Sequence, residues 1–228
     1  MNLNKHREFF DPDTFEDNIH IIGCGAVGST IAEQLARLGF KSLHLYDFDT
    51  VSEHNITNQM FLHRHIGHPK LTGLTDILKE INPDIQITNH HEGWEKGTPL
   101  NGYIIIAVDN IDTRKEIVQD NLFNPLIKAA FDVRMRLTDA QHYATLWNTK
   151  DIQNFLKTMN FSREEAAAAT PTSACGTTLS VTPTVRLICS YAVANLINVI
   201  LKKPITKTLL IDAFNMTLEA YDDNGLKE

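Results

Sequence analysis

The stretch that decides the fold spans residues 19–28 and reads Ile19-His20-Ile21-Ile22-Gly23-Cys24-Gly25-Ala26-Val27-Gly28. Its first four residues are mostly apolar and β-branched, which is typical of a short buried parallel strand. A Gly-x-Gly-x-x-Gly turn follows at once, and residues 29–38 then carry apolar side chains at helical spacing before Gly39. A strand, a Gly turn and a helix in this order predict phosphate binding, because the glycines let phosphate oxygens approach main-chain N–H groups at the helix N-terminus.

The next predicted strand ends in a carboxylate. Residues 42–46 predict this strand, and Asp47 follows it about 20 residues past Gly28, where a carboxylate suits hydrogen bonds from ribose hydroxyls. One alternative is a Gly turn that serves only close packing of the helix on the strand. The two features also leave open whether the nucleotide is ATP or NAD, because an NAD-dependent dehydrogenase shares both of them.

Strands and helices alternate along the rest of the chain. We predict helices over 70–81, 112–121, 150–169 and 183–201, strands over 85–89, 103–107, 126–131, 142–147, 208–214 and 217–221, and a long functional loop over 48–68. The alternation predicts a single α/β domain over 1–228, with a Rossmann-like, doubly wound, mostly parallel sheet and helices on both faces. Residues 1–18 form an N-terminal arm before it, and residues 170–182 form a crossover loop.

Composition excludes several classes of function. The net charge is -7 and Lys and Arg are not clustered, so we expect no nucleic-acid partner. Residues 1–10 are too polar for a signal peptide, and residues 185–201, the longest apolar-rich stretch, predict a buried helix rather than a membrane span. The three cysteines form no Cys-x-x-Cys pair, so we expect no zinc site and a reducing, cytoplasmic location.

An ordered set of short motifs extends beyond the Gly turn. Its members are Leu45-Tyr46-Asp47-Phe48-Asp49-Thr50-Val51, Asn55, Gln59, Gly67, Pro69-Lys70, Ile81-Asn82-Pro83-Asp84, Val108-Asp109-Asn110 and Thr113-Arg114. The set resembles the ThiF/MoeB/HesA family, the bacterial relatives of ubiquitin-activating E1 enzymes. It covers about residues 19–118, roughly half of the chain, and its combined spacing is more specific than any one motif.

The resemblance implies an ATP-dependent adenylyltransferase that uses ATP and Mg²⁺. In such enzymes the terminal glycine carboxylate of a ubiquitin-like or sulfur-carrier protein, with a Gly-Gly C-terminus, attacks the α-phosphate. The products are an acyl-adenylate and pyrophosphate. The resemblance also implies a homodimer.

The resemblance assigns a role to each residue that matches a position of the family's motifs. The resemblance implies that Asp47 binds ribose, Asn55 lines the nucleotide pocket, Lys70 holds phosphate charge and Asp109 holds Mg²⁺; the remaining nucleotide-binding residues are Gly23, Gly25, Gly28, Asp49, Asn58 and Gln59. Nucleotidyl transfer needs positive charge against the phosphate, which agrees with Lys70 and a metal. For Lys70 the alternative is a solvated surface lysine, and for Asp109 it is a helix N-cap or turn residue.

Further residues keep two interpretations each. Arg7 either reaches into a partner subunit's ATP site or is a solvated arm residue, and Asp49 either binds water or metal beside the phosphates or caps the loop. Cys175, in the crossover loop, is either a thioester- or persulfide-forming thiol or an incidental cysteine. In the stretch 132–136, Asp132 contacts the partner's tail and Arg134 or Arg136 contacts phosphate, or they form a plain surface ion pair.

Position 58 departs from the family pattern, which usually has an arginine immediately before the glutamine. Asn58 cannot give the bidentate cationic contact of a guanidinium, and one such contact is worth about two to three decades in rate. Adenylation is therefore slow, depends on another cation such as Arg64 or Arg7, or is absent. The alternative function is a catalytically degenerate nucleotide-binding scaffold. An NAD-dependent oxidoreductase is less favoured, because it leaves Lys70 and Asp109 unexplained.

Overall fold

A computed structural model describes residues 1–174, 178–222 and 225–226 of the protein. Nine strands form one sheet: β1 Ile19–Ile22, β2 Ser42–Tyr46, β3 Gln86–His90, β4 Gly102–Ile106, β5 Ile127–Met135, β6 Asp139–Leu146, β7 Thr208–Asp212, β8 Thr217–Asp222 and β9 Gly225–Leu226. Their order is β3-β2-β1-β4-β5-β6-β7-β8-β9. Across the sheet, neighbours in the series β3-β2-β1-β4-β5 pair in parallel, and neighbours in the series β5-β6-β7-β8-β9 pair antiparallel.

Helices cover both faces of this sheet. They are α1 Ala26–Arg37, α2 Lys70–Ile81, α3 Ile111–Asp120, α4 Thr149–Lys157, α5 Arg163–Ala169 and α6 Thr182–Ile200. One buried apolar cluster holds side chains of α1, α2 and α6, and a second cluster on the opposite face holds side chains of α3 and α4. The predicted doubly wound α/β class is confirmed.

The strand order reverses between β1 and β4, and such a reversal favours ligand binding. β1 lies between β2 and β4, and the chain leaves β1 through α1 toward β2 but leaves β4 through α3 toward β5, on the other side. The two helices therefore diverge from the carboxyl ends of neighbouring parallel strands, and the crevice between them is where α/β sheets bind ligands. We call the carboxyl ends of β1, β2 and β4 the ligand edge, and their amino ends the far edge.

The N-terminal arm packs at the far edge. The ring of Phe10 stacks on Phe40, just past the end of α1, with 5.2 Å between the ring centroids. His6 Nε2 lies 3.2 Å from the carbonyl oxygen of Leu38 in the same turn. The arm is therefore fixed at the end of α1 that is remote from the Gly turn.

Two local predictions are wrong, and the long loop contains some regular structure. A single helix over 150–169 is replaced by α4 and α5, because Ser162 and Glu165 form a capping box that begins a new helix. β5 continues past 131 to Met135, because the carboxylate of Asp132 is neutralised inside the protein by arginines. The loop over 48–68 contains two short 3-10 helices, Glu53–Thr57 and His63–His65.

By length and composition alone, α6 is apolar enough to cross a membrane. Half of its most apolar window is buried inside the protein, where the helix packs against α1, β5 and β6. The helix is therefore a core helix of this fold, as residues 185–201 predict.

Candidate functional site

Two glycines of the turn are required by the protein's own backbone. Gly23 has φ +91°, and a Cβ there would lie 2.8 Å from the carbonyl group of Ala107 at the end of β4. A Cβ at Gly28 would overlap the carbonyl oxygen of Gly23. These two positions let the turn fold back on itself and press against the neighbouring strand. They explain the fold of the turn but not yet its ligand.

Gly25 differs from the other two glycines. Its φ is -77°, outside the left-handed region, and among the described residues only Gln59 Nε2, at 4.0 Å, comes within contact distance of a Cβ placed there. Packing within the described chain therefore does not require glycine at this position. Gly25 is also the N-cap of α1, and no side chain of the described residues caps that helix. The open space faces uncapped N–H groups, which is the arrangement that binds phosphate.

Asp47 joins the second strand to the Gly turn. Its Oδ2 accepts a hydrogen bond of 2.7 Å from the backbone N–H of Cys24, and its Oδ1 accepts one of 2.9 Å from the N–H of Asp49. A carboxylate has about four acceptor sites, so Asp47 can accept a further hydrogen bond from a ribose hydroxyl. Burial and the Asp47 charge hold the pKa of the Cys24 thiol well above its usual value, so that this cysteine is a packing residue.

Lys70 lies beside two carboxylates at the ligand edge. Its Nζ is 2.7 Å from Asp49 Oδ2 and 3.8 Å from Asp47 Oδ1, and its side chain is only 8% exposed. The alternative of a solvated surface lysine is therefore wrong. A cation in the first turn of α2 opposes the helix dipole, and the two carboxylates offset that cost.

Asp109 follows β4 at the same edge. It is exposed, and the N-cap of α3 is Asn110, whose side chain accepts a hydrogen bond of 2.8 Å from the N–H of Asp112. The carboxylate of Asp109 makes no hydrogen bond or ion pair with the part of the chain that the structure describes. The described residues contain no group of three metal ligands. Mg²⁺ needs only one or two carboxylates when phosphates supply its other ligands, so Asp109 fits that role.

Gln59 and Asn55 lie on the loop that passes the Gly turn. Gln59 Oε1 is buried without a hydrogen-bond partner among the described residues, and its amide group is the neighbour of Gly25 noted above. Asn55 Oδ1 accepts hydrogen bonds of 2.9 Å from the N–H and the hydroxyl of Ser52. The Gln59 amide thus borders the open space at Gly25 through its Nε2, whereas the oxygen of Asn55 caps a 3-10 helix. A nucleotide role for Asn55 stays a prediction.

Asn58 is bonded to the segment that leads into α6. Its amide donates to the hydroxyl of Ser180, and the hydroxyl of Thr182 donates to the carbonyl of Thr57 at 2.6 Å. These two bonds attach the start of α6 to the loop at the ligand edge. Asn58 therefore has a structural partner within the chain, and its place in the nucleotide-binding set stays a prediction.

Arg7 does not join the other predicted residues. Its guanidinium contacts Asp13 at 2.5 Å and Asp11 at 3.7 Å on the N-terminal arm, at the far edge. The chain's own ligand edge is beyond its reach, and a role in a second subunit's site stays a prediction. Arg64, the other alternative cation, pairs with Glu80 on the surface at 2.9 Å. Cys175 lies outside the described residues.

A buried charge network next to the site was missed by sequence reasoning. Asp132 is fully buried between Arg114, which contacts its Oδ1, and Arg134, whose Nε is 2.7 Å from its Oδ2. Burial lowers the pKa of Arg114 to about 9 and that of Arg134 to about 10. Both interpretations of Asp132, a contact with a partner's tail and a surface ion pair, are wrong because its carboxylate is fully buried. Arg136 does pair with Asp139 at the surface.

Arg114 also fixes the end of β4. Its guanidinium donates to the carbonyl of Val108 and, at 3.3 Å, to that of Ile106. The backbone on the amino side of Asp109 is therefore held by a buried arginine, which is held in turn by Asp132. The ligand edge thus brings together the Gly turn, Asp47, Asp49, Gln59, Lys70 and Asp109.

Comparisons with known proteins identify the family of the chain. The family model described as the ThiF family matches residues 13–225. The chain belongs to the ThiF family. It is 30% identical over 132 residues to ubiquitin-like modifier-activating enzyme 5 of Caenorhabditis elegans, a match that covers 55% of this chain and 29% of that protein.

A second curated relative acts on a different kind of molecule, according to its name. The chain is 30% identical over 132 residues to tRNA threonylcarbamoyladenosine dehydratase 2 of Saccharomyces cerevisiae, with 52% of this chain and 30% of that protein covered. The matches thus span less than a third of the length of these two relatives.

Solved structures share the fold at low identity. MccB of E. coli, crystallised with ATP, has a TM-score of 0.67 and 16% identity, covering 91% of this chain and 64% of that one. The E. coli dehydratase TcdA has a TM-score of 0.62 and 16% identity, covering 88% and 94%. At these identities the likeness shows the fold alone.

Proposed function

We propose that this ThiF-family chain is an ATP-dependent adenylyltransferase that activates the C-terminal glycine carboxylate of a ubiquitin-like or sulfur-carrier protein ending in Gly-Gly. The observation that carries the proposal is Gly25. No described packing contact requires a glycine there, and the space it leaves open faces the uncapped start of α1. A phosphate is the ligand that such a helix start binds best.

The chemistry requires one bond exchange. A carboxylate oxygen of the substrate attacks the α-phosphorus of ATP and forms a new P–O bond. The bond from the α-phosphorus to the bridging oxygen breaks, and pyrophosphate leaves with the electron pair. In the proposal Asp47 holds the ribose, N–H groups of the Gly turn and Lys70 bind phosphates, and Asp109 binds Mg²⁺. Bound Mg²⁺ would neutralise charge that develops on the phosphates.

Two observations support ATP and a protein substrate. Lys70 and the exposed carboxylate of Asp109 suit a triphosphate with its metal, whereas NAD requires neither. The net charge of -7 without clustered Lys or Arg favours a protein carboxylate over a tRNA, although one relative carries tRNA in its name.

A second candidate function is a nucleotide-binding scaffold without turnover. It is favoured by Asn58, a neutral side chain that is bonded to Ser180. Both candidates place a nucleotide at the same edge, so only turnover separates them.

The test is ATP–pyrophosphate exchange with candidate partners that end in Gly-Gly, with and without Mg²⁺. We expect exchange that requires both the partner and Mg²⁺ and that is lost in Asp109→Asn. The surface variant Asp17→Asn should retain the exchange rate of the natural chain, because Asp17 pairs with Lys128 at the surface near the far edge. ATP binding without exchange for any partner would favour the scaffold.

A homodimer is part of the proposal. Arg7 lies at the far edge of its own subunit, so a catalytic contribution from it requires a second copy. Sedimentation of the natural chain and exchange by Arg7→Ala test both points together. A monomer that exchanges at full rate would overturn them.

A further inference from the structure

Arg186 extends from the second turn of α6 toward the Gly-turn helix. Its Nη1 is 3.1 Å from the hydroxyl of Thr30, in α1, and it contacts Met60 Sδ on the loop that passes the turn. The start of α6 is attached to this loop through Thr182 and Ser180. Arg186 therefore lies where α1, α6 and the loop meet, near the ligand edge.

This guanidinium lacks the partner that other cations near the site have. Lys70 pairs with Asp49, and Arg114 and Arg134 share Asp132. Arg186 is half-buried and makes no ion pair with the residues that the structure describes; its two contacts are a hydroxyl and a thioether. A partly desolvated cation with neutral neighbours gains more from an anionic ligand than a paired one does.

Thr30 connects the Arg186 guanidinium to the start of α1, next to the Gly turn. The hydroxyl of Thr30 also donates to the carbonyl of Ala26 at 2.7 Å, so one helical turn separates the Arg186 contact from the first residue of α1. Helical side chains point back toward the N-terminus of their own helix. The N-terminus of α6 lies at the ligand edge, so Arg186 is directed toward the turn.

The position of α6 also indicates which phosphates it reaches. α1 packs between α2, on the side of β3, and α6, on the side of β5 and β6. Asp47, the proposed ribose ligand, is at the end of β2, on the α2 side of the turn. A nucleotide that runs from Asp47 across the start of α1 therefore brings its outer phosphates to the α6 side.

We propose that the Arg186 guanidinium binds the outer phosphates of ATP and supplies the cationic contact that Asn58 cannot make. The proposal rests on the proposed function, because it requires a nucleotide at the Gly turn. It assigns Arg186 a binding role that distinguishes ATP from AMP, since AMP lacks the outer phosphates.

The test is calorimetric titration of the full chain with ATP and with AMP. For Arg186→Met we expect ATP affinity to fall about 10- to 100-fold, the usual loss of a charged hydrogen bond, and AMP affinity to stay within about twofold. The matched control is Arg37→Met, at the other end of α1, where Arg37 pairs with Glu33. It should bind both nucleotides like the natural chain.

A second variant tests the compensation directly. If Arg186 replaces an arginine at position 58, then Asn58→Arg in the Arg186→Met background should restore most of the ATP affinity. Should Arg186→Met fail to fold, Arg186→Lys, which keeps the charge but loses the forked geometry, must still lower the ratio of ATP to AMP affinity.

Three outcomes are distinguishable. A selective loss of ATP affinity supports the proposal. Equal changes for ATP and AMP, or no change in either, overturn it while leaving the proposed function intact. A natural chain that binds neither nucleotide overturns the proposed function itself, and the assignment of Arg186 with it.

Discussion

The carboxylate of Asp47 accepts a 2.7 Å hydrogen bond from the backbone N–H of Cys24. This bond joins the end of β2 to the middle of the Gly turn, so one side chain holds the turn and faces the proposed ribose position. Asp47→Ala should lower stability by about 1–3 kcal/mol, because a part-buried N–H loses its acceptor. It should also lower ATP affinity at least about tenfold. Urea unfolding and calorimetry measure the two effects, and unchanged ATP affinity would contradict the ribose role.

Gly25 and Gly28 should respond differently to the same substitution. Gly25→Ala adds a methyl group to open space at an N-cap, which costs about 1 kcal/mol of stability, but it obstructs the phosphate position and should abolish ATP binding. Gly28→Ala overlaps the carbonyl of Gly23 and should destabilise the fold itself by several kcal/mol, on the order of other large packing defects. Thermal unfolding and ATP titration of the pair separate the two roles. Normal ATP binding by a folded Gly25→Ala variant would mean that the open space is not a ligand site.

Two buried histidines predict acid sensitivity. Burial lowers the pKa of His20, beside Tyr46, and that of His142 to about 3. Asn195 donates to His142 Nε2 at 3.0 Å, which requires a neutral ring nitrogen there. Below the ordinary histidine pKa of about 6.5 the unfolded chain binds protons that the native chain does not, so stability falls as the pH falls from about 6.5 toward 3.

The slope should reach about 1.4 kcal/mol per pH unit for each of these histidines. Urea unfolding at pH 7.5, 6.5 and 5.5 measures it. His20→Gln should reduce the slope by up to about 1.4 kcal/mol per pH unit, the contribution of one proton. Stability that is flat across this range would show that the native rings take up protons as the unfolded chain does, which would contradict their lowered pKa.

The buried network at Asp132 should dominate stability near the site. Arg114→Met leaves a fully buried carboxylate with one arginine and should cost about 3–5 kcal/mol. Arg136→Met removes an exposed pair with Asp139 and should cost less than about 1 kcal/mol. Denaturant midpoints of the two variants test this difference. Equal and small losses would mean that the arginines do not stabilise Asp132.

The sequence predicts local features of this fold well. The strand, Gly turn and helix over 19–38 follow from residue types within one short stretch, and Asp47 follows from its place after the next strand. The break before α5 carried a local signal too, the Ser162-x-x-Glu165 capping box, but an apolar and alanine-rich helix pattern on both sides concealed it.

The features that the sequence did not predict depend on contacts between residues far apart in the chain. Asp132 suggests a strand end when taken alone, but Arg134 and the more distant Arg114, 18 residues earlier, let the strand continue through a buried charge. The bond from Asn58 to Ser180 spans 122 residues, and that from Arg186 to Thr30 spans 156. No periodicity or spacing rule connects such positions, so the structural partner of Asn58 and the location of Arg186 emerge only from the fold.

Calorimetric titration of the natural chain with ATP and with NAD, in the presence of Mg²⁺, measures whether the ligand edge binds ATP. We predict that ATP binds more tightly than NAD. Removal of Mg²⁺ should lower the affinity for ATP but not the affinity for NAD. NAD binding tighter than ATP would contradict the account and indicate an oxidoreductase.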